Sequence, residues 1–188
     1  MRSSKFIVAA VGVLLVADCT IPIAGAAPSR ETPPSAGKYG ATESRIFDLI
    51  NAQRQHQGLR PLVYNPQLDR MAKIQAENMA RYQKMAHVIP DASLPTLGAR
   101  AQYVGYIYGR LSENVALGYP TAETVVEGWM SSSGHRRNIL DGEVIETGIG
   151  IARSTAGGLY YCQVFGRPLS SLFNCALRTN GIPNCEVI

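Results

Sequence analysis

The sequence predicts an α+β fold, a sandwich in which helices pack on an antiparallel sheet. Three observations lead to this class. Helical patterns come first along the chain, strand patterns are interleaved late, and a hairpin signal links the last two strands. A parallel doubly wound fold would instead alternate strands and helices. The chain has 188 residues, of which 46% are hydrophobic, so it is long enough for one globular domain and too short for two comfortable ones.

The N-terminal residues are typical of a secretory signal peptide. They combine a basic start, an apolar run over residues 6–17 and an A-x-A sequence ending at Ala26. The apolar run is shorter than the roughly 20 residues that span a bilayer. We expect a signal peptide over residues 1–26, a disordered lead-in over residues 27–41, and no membrane span after cleavage. The mature protein is then secreted to the extracellular space or the cell envelope.

Two alternatives for the N-terminus stay open. One is lipoprotein processing at Cys19, although Asp18 stands where that recognition needs a small neutral residue. The other is an uncleaved membrane anchor.

The charge pattern excludes one class of partner. The formal net charge is +4, and Arg136 with Arg137 is a pair rather than a patch. Because nucleic-acid binding needs a basic stripe or cluster, we expect no nucleic-acid partner.

The first two helices are predicted by their caps and apolar spacing. Thr42 is a plausible N-cap for a helix that ends near Gly58. The second helix begins with Asn65 as N-cap and Pro66 in the first turn. It is expected to end near Met85. Its apolar face is formed by Leu68, Met71, Ala72, Met79 and Ala80.

The second half of the chain predicts a strand between two shorter helices. Thr96 caps the first of these helices and Thr121 caps the other, whose Trp129 points inward. Between them, residues 111–116 alternate as in a strand, which places Glu113 on the same face as Leu111 and Val115.

A hairpin is predicted near the C-terminus. Residues 135–140 form one helical turn, and the glycine-containing segment 154–158 joins strands over 146–152 and 159–166. The domain is then expected over residues 42–168, followed by an irregular tail over 169–188.

Three cysteines remain after the expected cleavage. Cys175 and Cys185 enclose a segment rich in turn-forming residues, and we expect a disulfide between them in an oxidising compartment. Cys162 lies in a strand pattern and is expected to be a buried thiol. A Cys162–Cys175 bridge is the alternative.

The candidate functional residues are His87, Glu113 and His135. Each lies at an element end or in a polar segment, where functional groups concentrate. Two imidazoles and a carboxylate can bind a divalent metal or act as general acid and base. Each residue could instead cap a helix, pack in the core or hold a loop in place by hydrogen bonds. A serine hydrolase at residues 131–133 is disfavoured, because no G-x-S-x-G motif surrounds them.

Four motifs in this order resemble the CAP superfamily (SCP domain; cysteine-rich secretory, antigen-type and pathogenesis-related proteins) in its bacterial secreted form. They are SENVALGY at 112–119, GWMSSSGHRRNIL at 128–140, ETGIGIA at 146–152 and LYYCQVFG at 159–166. The resemblance covers about residues 43–166. It implies a three-layer α-β-α sandwich around an antiparallel sheet.

The resemblance also implies a cleft lined by two histidines and two acidic residues. By motif, the first three of these are His87, Glu113 and His135. Many eukaryotic members have the second acidic residue where this chain has Ser132, and the bacterial form has it before the G-[IV]-G strand, here Glu146. Several members place a divalent ion such as zinc in the cleft, so the expected metal ligands are His87 and His135.

The functional prediction is a non-catalytic binding module, and no catalytic residue is assigned. The expected ligand is a lipid or sterol, a cell-wall component or a protein, with a divalent metal such as zinc as candidate cofactor. The alternatives are a purely structural His/Glu network and, ranked last, a metal- or His/Glu-assisted peptidase.

Overall fold

A computed structural model describes residues 40–169, which form five helices and four strands. In chain order these are α1 Ala41–His56, β1 Val63–Tyr64, α2 Pro66–Tyr82, α3 Leu97–Val104, β2 Tyr108–Leu117, α4 Ala122–Ser131, α5 Ser133–Ile139, β3 Glu146–Arg153 and β4 Leu159–Pro168. The expected signal peptide, most of the lead-in and all but the first residue of the C-terminal tail lie outside these residues. Within the described range, no helix is long and apolar enough to cross a membrane.

The strands form one sheet in the order β1-β3-β4-β2. The β3–β4 pair is the predicted hairpin, and β2 pairs antiparallel with β4. β1 was not predicted and pairs parallel with β3 at the opposite edge. A strand of two residues carries no alternating pattern, so the sequence contains no signal for it.

Helices cover both faces of this sheet, which confirms the α+β sandwich. α1, α4 and α5 pack on one face, where Ile50, Trp129 and Phe165 are buried in one apolar cluster. α2 and α3 cover the other face, where Met79, Ala101 and Val164 belong to a second cluster. Because successive residues of β4 point to opposite faces, this one strand contributes to both cores.

The helix starts follow the predicted caps. Asn65 Oδ1 accepts hydrogen bonds from the backbone N–H groups of Gln67 at 2.8 Å and Leu68 at 3.1 Å. Thr96 and Thr121 cap α3 and α4 in the same way. These bonds satisfy N–H groups that the helix itself leaves unpaired. α1 begins earlier than predicted, with Gly40 rather than Thr42 at its N-cap.

α2 lies very close to the backbone of β3. A Cβ atom on Gly148 would lie 2.0 Å from the backbone nitrogen of Asp69, and one on Gly150 would lie 2.4 Å from the carbonyl carbon of Ala72. Both distances are shorter than any real contact, so only glycine allows this approach. The pair of glycines in the ETGIGIA motif therefore positions α2, and the loop that follows it, against the sheet.

Candidate functional site

Three separate elements carry the predicted site residues. His87 lies in the loop between α2 and α3, Glu113 lies in the middle of β2, and His135 lies in α5. Glu113 is on the strand face that also carries the buried Val115. It therefore lies beneath α2 and α3, as the alternation of β2 predicts.

His87 and Glu113 are in direct contact. His87 Nδ1 lies 2.9 Å from Glu113 Oε1, with the imidazole 56% exposed and the carboxylate side chain 2% exposed. This hydrogen bond raises the pKa of His87 against the opposing effects of burial and of the positive charge on Arg100. Since Nδ1 is occupied, Nε2 is the ring nitrogen left for another partner.

The buried side of Glu113 contacts a cation that was not predicted from the sequence. Arg100 Nη2 donates to Glu113 Oε2 at 2.6 Å, and both side chains are buried. Arg100 Nη1 donates to Gln75 Oε1, and Gln75 Nε2 donates to the carbonyl of Ala86, next to His87. The Arg100–Gln75 pair therefore holds both Glu113 and the His87 loop. A carboxylate on an apolar strand face requires such a buried partner. The apolar neighbours of Glu113 in β2 were therefore the sequence signal for a buried cation.

α5 is tied to the outer edge of β2 by asparagine side chains. Asn138 Nδ2 donates to Asn114 Oδ1 at 2.8 Å and to the carbonyl of Glu113 at 3.2 Å. Asn114 Nδ2 in turn donates to the carbonyl of His135 at 3.1 Å. The G-H-R-R-N segment is thereby held at the strand position that carries Glu113.

His135 makes no hydrogen bond to His87 within residues 40–169, but the charge on His87 acts on its imidazole. Burial lowers the pKa of His135, and the positive charge on His87 lowers it further. His135 is half-buried. The side chain of Glu113 thus contacts His87 directly. The backbone of Glu113 is linked to the backbone of His135 through Asn138 and Asn114.

Glu146 belongs to a different cluster. Its Oε2 accepts hydrogen bonds from Tyr106 Oη at 2.7 Å and from Asn65 Nδ2 at 3.1 Å. Glu146 lies opposite Gly166 on β4 and Glu113 opposite Val164, which puts their Cα atoms about 12 Å apart by strand geometry. Among the described residues, no hydrogen bond joins Glu146 to the other three candidates. Its carboxylate connects β3 to the N-cap of α2.

The site offers two side chains that can bind a metal ion, rather than three. Residues 40–169 contain no group of three or more His, Cys, Asp and Glu side chains that could hold a metal ion. The carboxylate of Glu113 already binds His87 and Arg100, and Cys162 Sγ donates to it at 3.4 Å. The imidazoles of His87 and His135 remain as donors, and only neutral imidazole binds metal.

Cys162 is a buried thiol that forms no disulfide within residues 40–169. Burial and the neighbouring negative charge of Glu113 raise its pKa, so it stays protonated. Cys19, Cys175 and Cys185 lie outside the described residues, and the predicted disulfide with them.

Comparison with known proteins identifies the family. The family model "CAP: Cysteine-rich secretory protein family" matches residues 47–165. The chain belongs to this family. YkwD of Bacillus subtilis (strain 168) is 32% identical over 136 residues, which are 72% of this chain and 51% of that protein. The membrane protein YlbC of the same organism is 29% identical over 66% of this chain and 34% of that protein.

Solved structures show the same fold. An extracellular protein with an SCP domain from Bacillus anthracis has a TM-score of 0.61 at 28% identity, covering 67% of this chain and 40% of that one. An outer surface protein of Borrelia burgdorferi has a TM-score of 0.60 at 19% identity, covering 65% of this chain and 90% of that one. The chain is a CAP/SCP-domain protein of the bacterial extracellular type. It spans only about half, or less, of the two curated relatives from Bacillus subtilis.

Proposed function

We propose that this chain is a secreted binding module, not an enzyme, and that its ligand binds at the exposed imidazole of His87 and the half-buried imidazole of His135. The observation that carries this proposal is the 2.9 Å bond between His87 Nδ1 and the buried Glu113. It holds an exposed ring in one orientation and leaves Nε2 for the ligand. Among the described residues, no hydroxyl or thiol is hydrogen-bonded to either imidazole, which supports binding over nucleophilic catalysis.

The surface around His87 supports a ligand with an apolar part. Met85 and Val88 flank it in the chain and are 51% and 48% exposed. A ligand reaching the imidazole would cover apolar surface as well as a polar ring. Among a lipid, a cell-wall component and a protein, this favours a lipid or an apolar segment of a protein.

The proposed cofactor is a divalent metal such as zinc, held by His87 and His135. Glu113 would orient His87 from behind, as carboxylates commonly do for metal-binding histidines. The lowered pKa of His135 keeps that ring neutral at neutral pH, as a ligand must be. The ion would supply an open coordination position for an anionic group of the ligand.

Calorimetric titration with zinc at pH 7.5 tests this site. We expect wild-type protein to bind one zinc ion and the His87→Ala and His135→Ala variants to lose binding. His56→Ala removes an exposed histidine at the end of α1 and is the matched control. Zinc binding that persists unchanged in the His87→Ala/His135→Ala double variant would remove the metal from the proposal.

A peptidase is the second candidate, and one observation favours it. A carboxylate bound to Nδ1 also prepares an imidazole to act as general base through Nε2. Incubating wild-type and His87→Ala protein with a broad peptide library decides between the two functions. The binding proposal predicts no cleavage by either protein. Cleavage by wild-type protein that His87→Ala abolishes would establish the peptidase.

A further inference from the structure

A groove apart from the histidine site lies between α2, α3 and the loop that joins them. Its volume is about 550 Å³, within the range of small-molecule sites. The wall formed by α2 carries Arg70, Glu77, Asn78 and Arg81, with Leu94 and Tyr103 opposite. None of His87, Glu113 and His135 lines it, so it is separate from the site described above.

The charged side chains of this groove lack polar partners within residues 40–169. Neither Arg70 nor Glu77 takes part in a hydrogen bond or ion pair within residues 40–169, and Arg81 only lies over the ring of Tyr82. Asn78 Nδ2 is shielded from solvent without a hydrogen-bond partner in the same range. Buried amides nearly always have a partner. Asn78 lines the groove, so a ligand bound there can supply one.

Tyr103 adds an aromatic surface to these groups. It is 59% exposed at the rim, although aromatic residues of this size are usually at least half-buried. An exposed ring face can stack against the C–H face of a sugar ring or against a planar group. Asn, Glu and Arg side chains beside it supply the donors and acceptors that hydroxyl groups need.

We propose that this groove binds an acidic oligosaccharide. Two guanidinium groups outweigh the single carboxylate of Glu77, so the ligand should be an anion. Arg70 and Arg81 are separated by three turns of α2, about 16 Å, which fits an extended ligand with repeated charges. A peptide ligand is less suited, because the wall is a helix and offers no strand edge for backbone pairing.

The test uses tetragalacturonate as the acidic probe, with neutral maltotetraose and tetraglutamate for comparison. Binding is followed by ¹H–¹⁵N NMR titration of the protein. The proposal predicts millimolar or tighter binding of tetragalacturonate and binding at least about tenfold weaker to the other two, since both the charge and the sugar ring contribute.

Four variants locate the binding site. Arg70→Ser and Tyr103→Leu should each weaken binding about tenfold, whereas Tyr103→Phe keeps the ring and should bind as wild type. Arg137→Ser removes an exposed guanidinium from another groove and is the matched control. Equal binding of tetraglutamate would show simple charge attraction and overturn the proposal. So would the absence of tetragalacturonate binding, or equal losses in Arg70→Ser and Arg137→Ser.

Discussion

Glu113 shows how a single residue joins the interior of this protein to its surface. One carboxylate oxygen faces the fully buried Arg100 and the other faces an exposed imidazole. Removing one partner of a buried ion pair leaves the other charge buried and unpaired, which costs more than the pair itself contributes. The structural role and the proposed binding role of Glu113 therefore depend on the same carboxylate, through different oxygens.

Glu113→Gln should lower the free energy of unfolding by about 3 kcal/mol, because it leaves the guanidinium of Arg100 without a buried counter-charge. Urea denaturation at pH 7 measures this change. Arg45→Met, which removes an exposed ion pair with Glu123, is the control and should have little effect. A loss no larger for Glu113→Gln than for Arg45→Met would show that the buried pair contributes nothing.

The two histidines should titrate on opposite sides of the ordinary histidine pKa. The pKa of His87 is raised by Glu113, so its contribution to stability is present below pH ~6.5 and is lost as pH rises through its folded-state pKa. The pKa of His135 is lowered, so its contribution is present above pH ~6.5 and is lost as pH falls through its folded-state pKa.

His87→Ala should raise the pKa of His135, because it removes the like charge that lowers that pKa. An NMR titration of the imidazole protons in wild-type and variant protein measures the shift. A pKa of His135 that stays the same or falls in the variant would show that the two rings do not share a site.

At the scale of elements, close contact between α2 and β3 sets the position of the His87 loop. A methyl group on Gly148 would collide with the backbone of Leu68 and Asp69, and backbone cannot move aside as a flexible side chain can. The helix could then only shift as a unit, and the loop that carries His87 would shift with it.

Gly148→Ala should therefore destabilise the protein by about 3 kcal/mol, the upper end for overpacking. Gly134→Ala is the matched control, because nothing lies within 4 Å of its added Cβ and alanine favours the helix α5. Thermal unfolding of both variants compares them. Equal melting temperatures for the two variants would contradict the close approach.

Most elements could be predicted from the sequence because their signals are local. The caps Asn65, Thr96 and Thr121 and the glycine-containing hairpin loop each act within a few residues, so the pattern alone locates them. Arg100 and β1 were missed since each depends on a partner farther along the chain: Arg100 pairs with Glu113, and β1 pairs with β3.

For the whole molecule, two apolar cores and one sheet support a small polar region at the edge strand β2. Trp129 Nε1 donates to the carbonyl of Val115 at 3.3 Å, and Asn138 bonds the carbonyl of Glu113 on the same strand. These side chains occupy backbone acceptors that an exposed strand edge would offer to other chains. The two motif residues thereby protect the edge, and Asn138 holds α5 at the strand position that carries Glu113.

The most direct test of the account is a crystal structure of the protein grown with zinc, with anomalous data collected at the zinc edge. We expect one zinc peak bound by His87 Nε2 and a ring nitrogen of His135, with Glu113 still bonded to His87 Nδ1 and to Arg100. A peak coordinated by Glu113 itself would contradict it, and so would imidazoles of His87 and His135 that lie too far apart to share an ion.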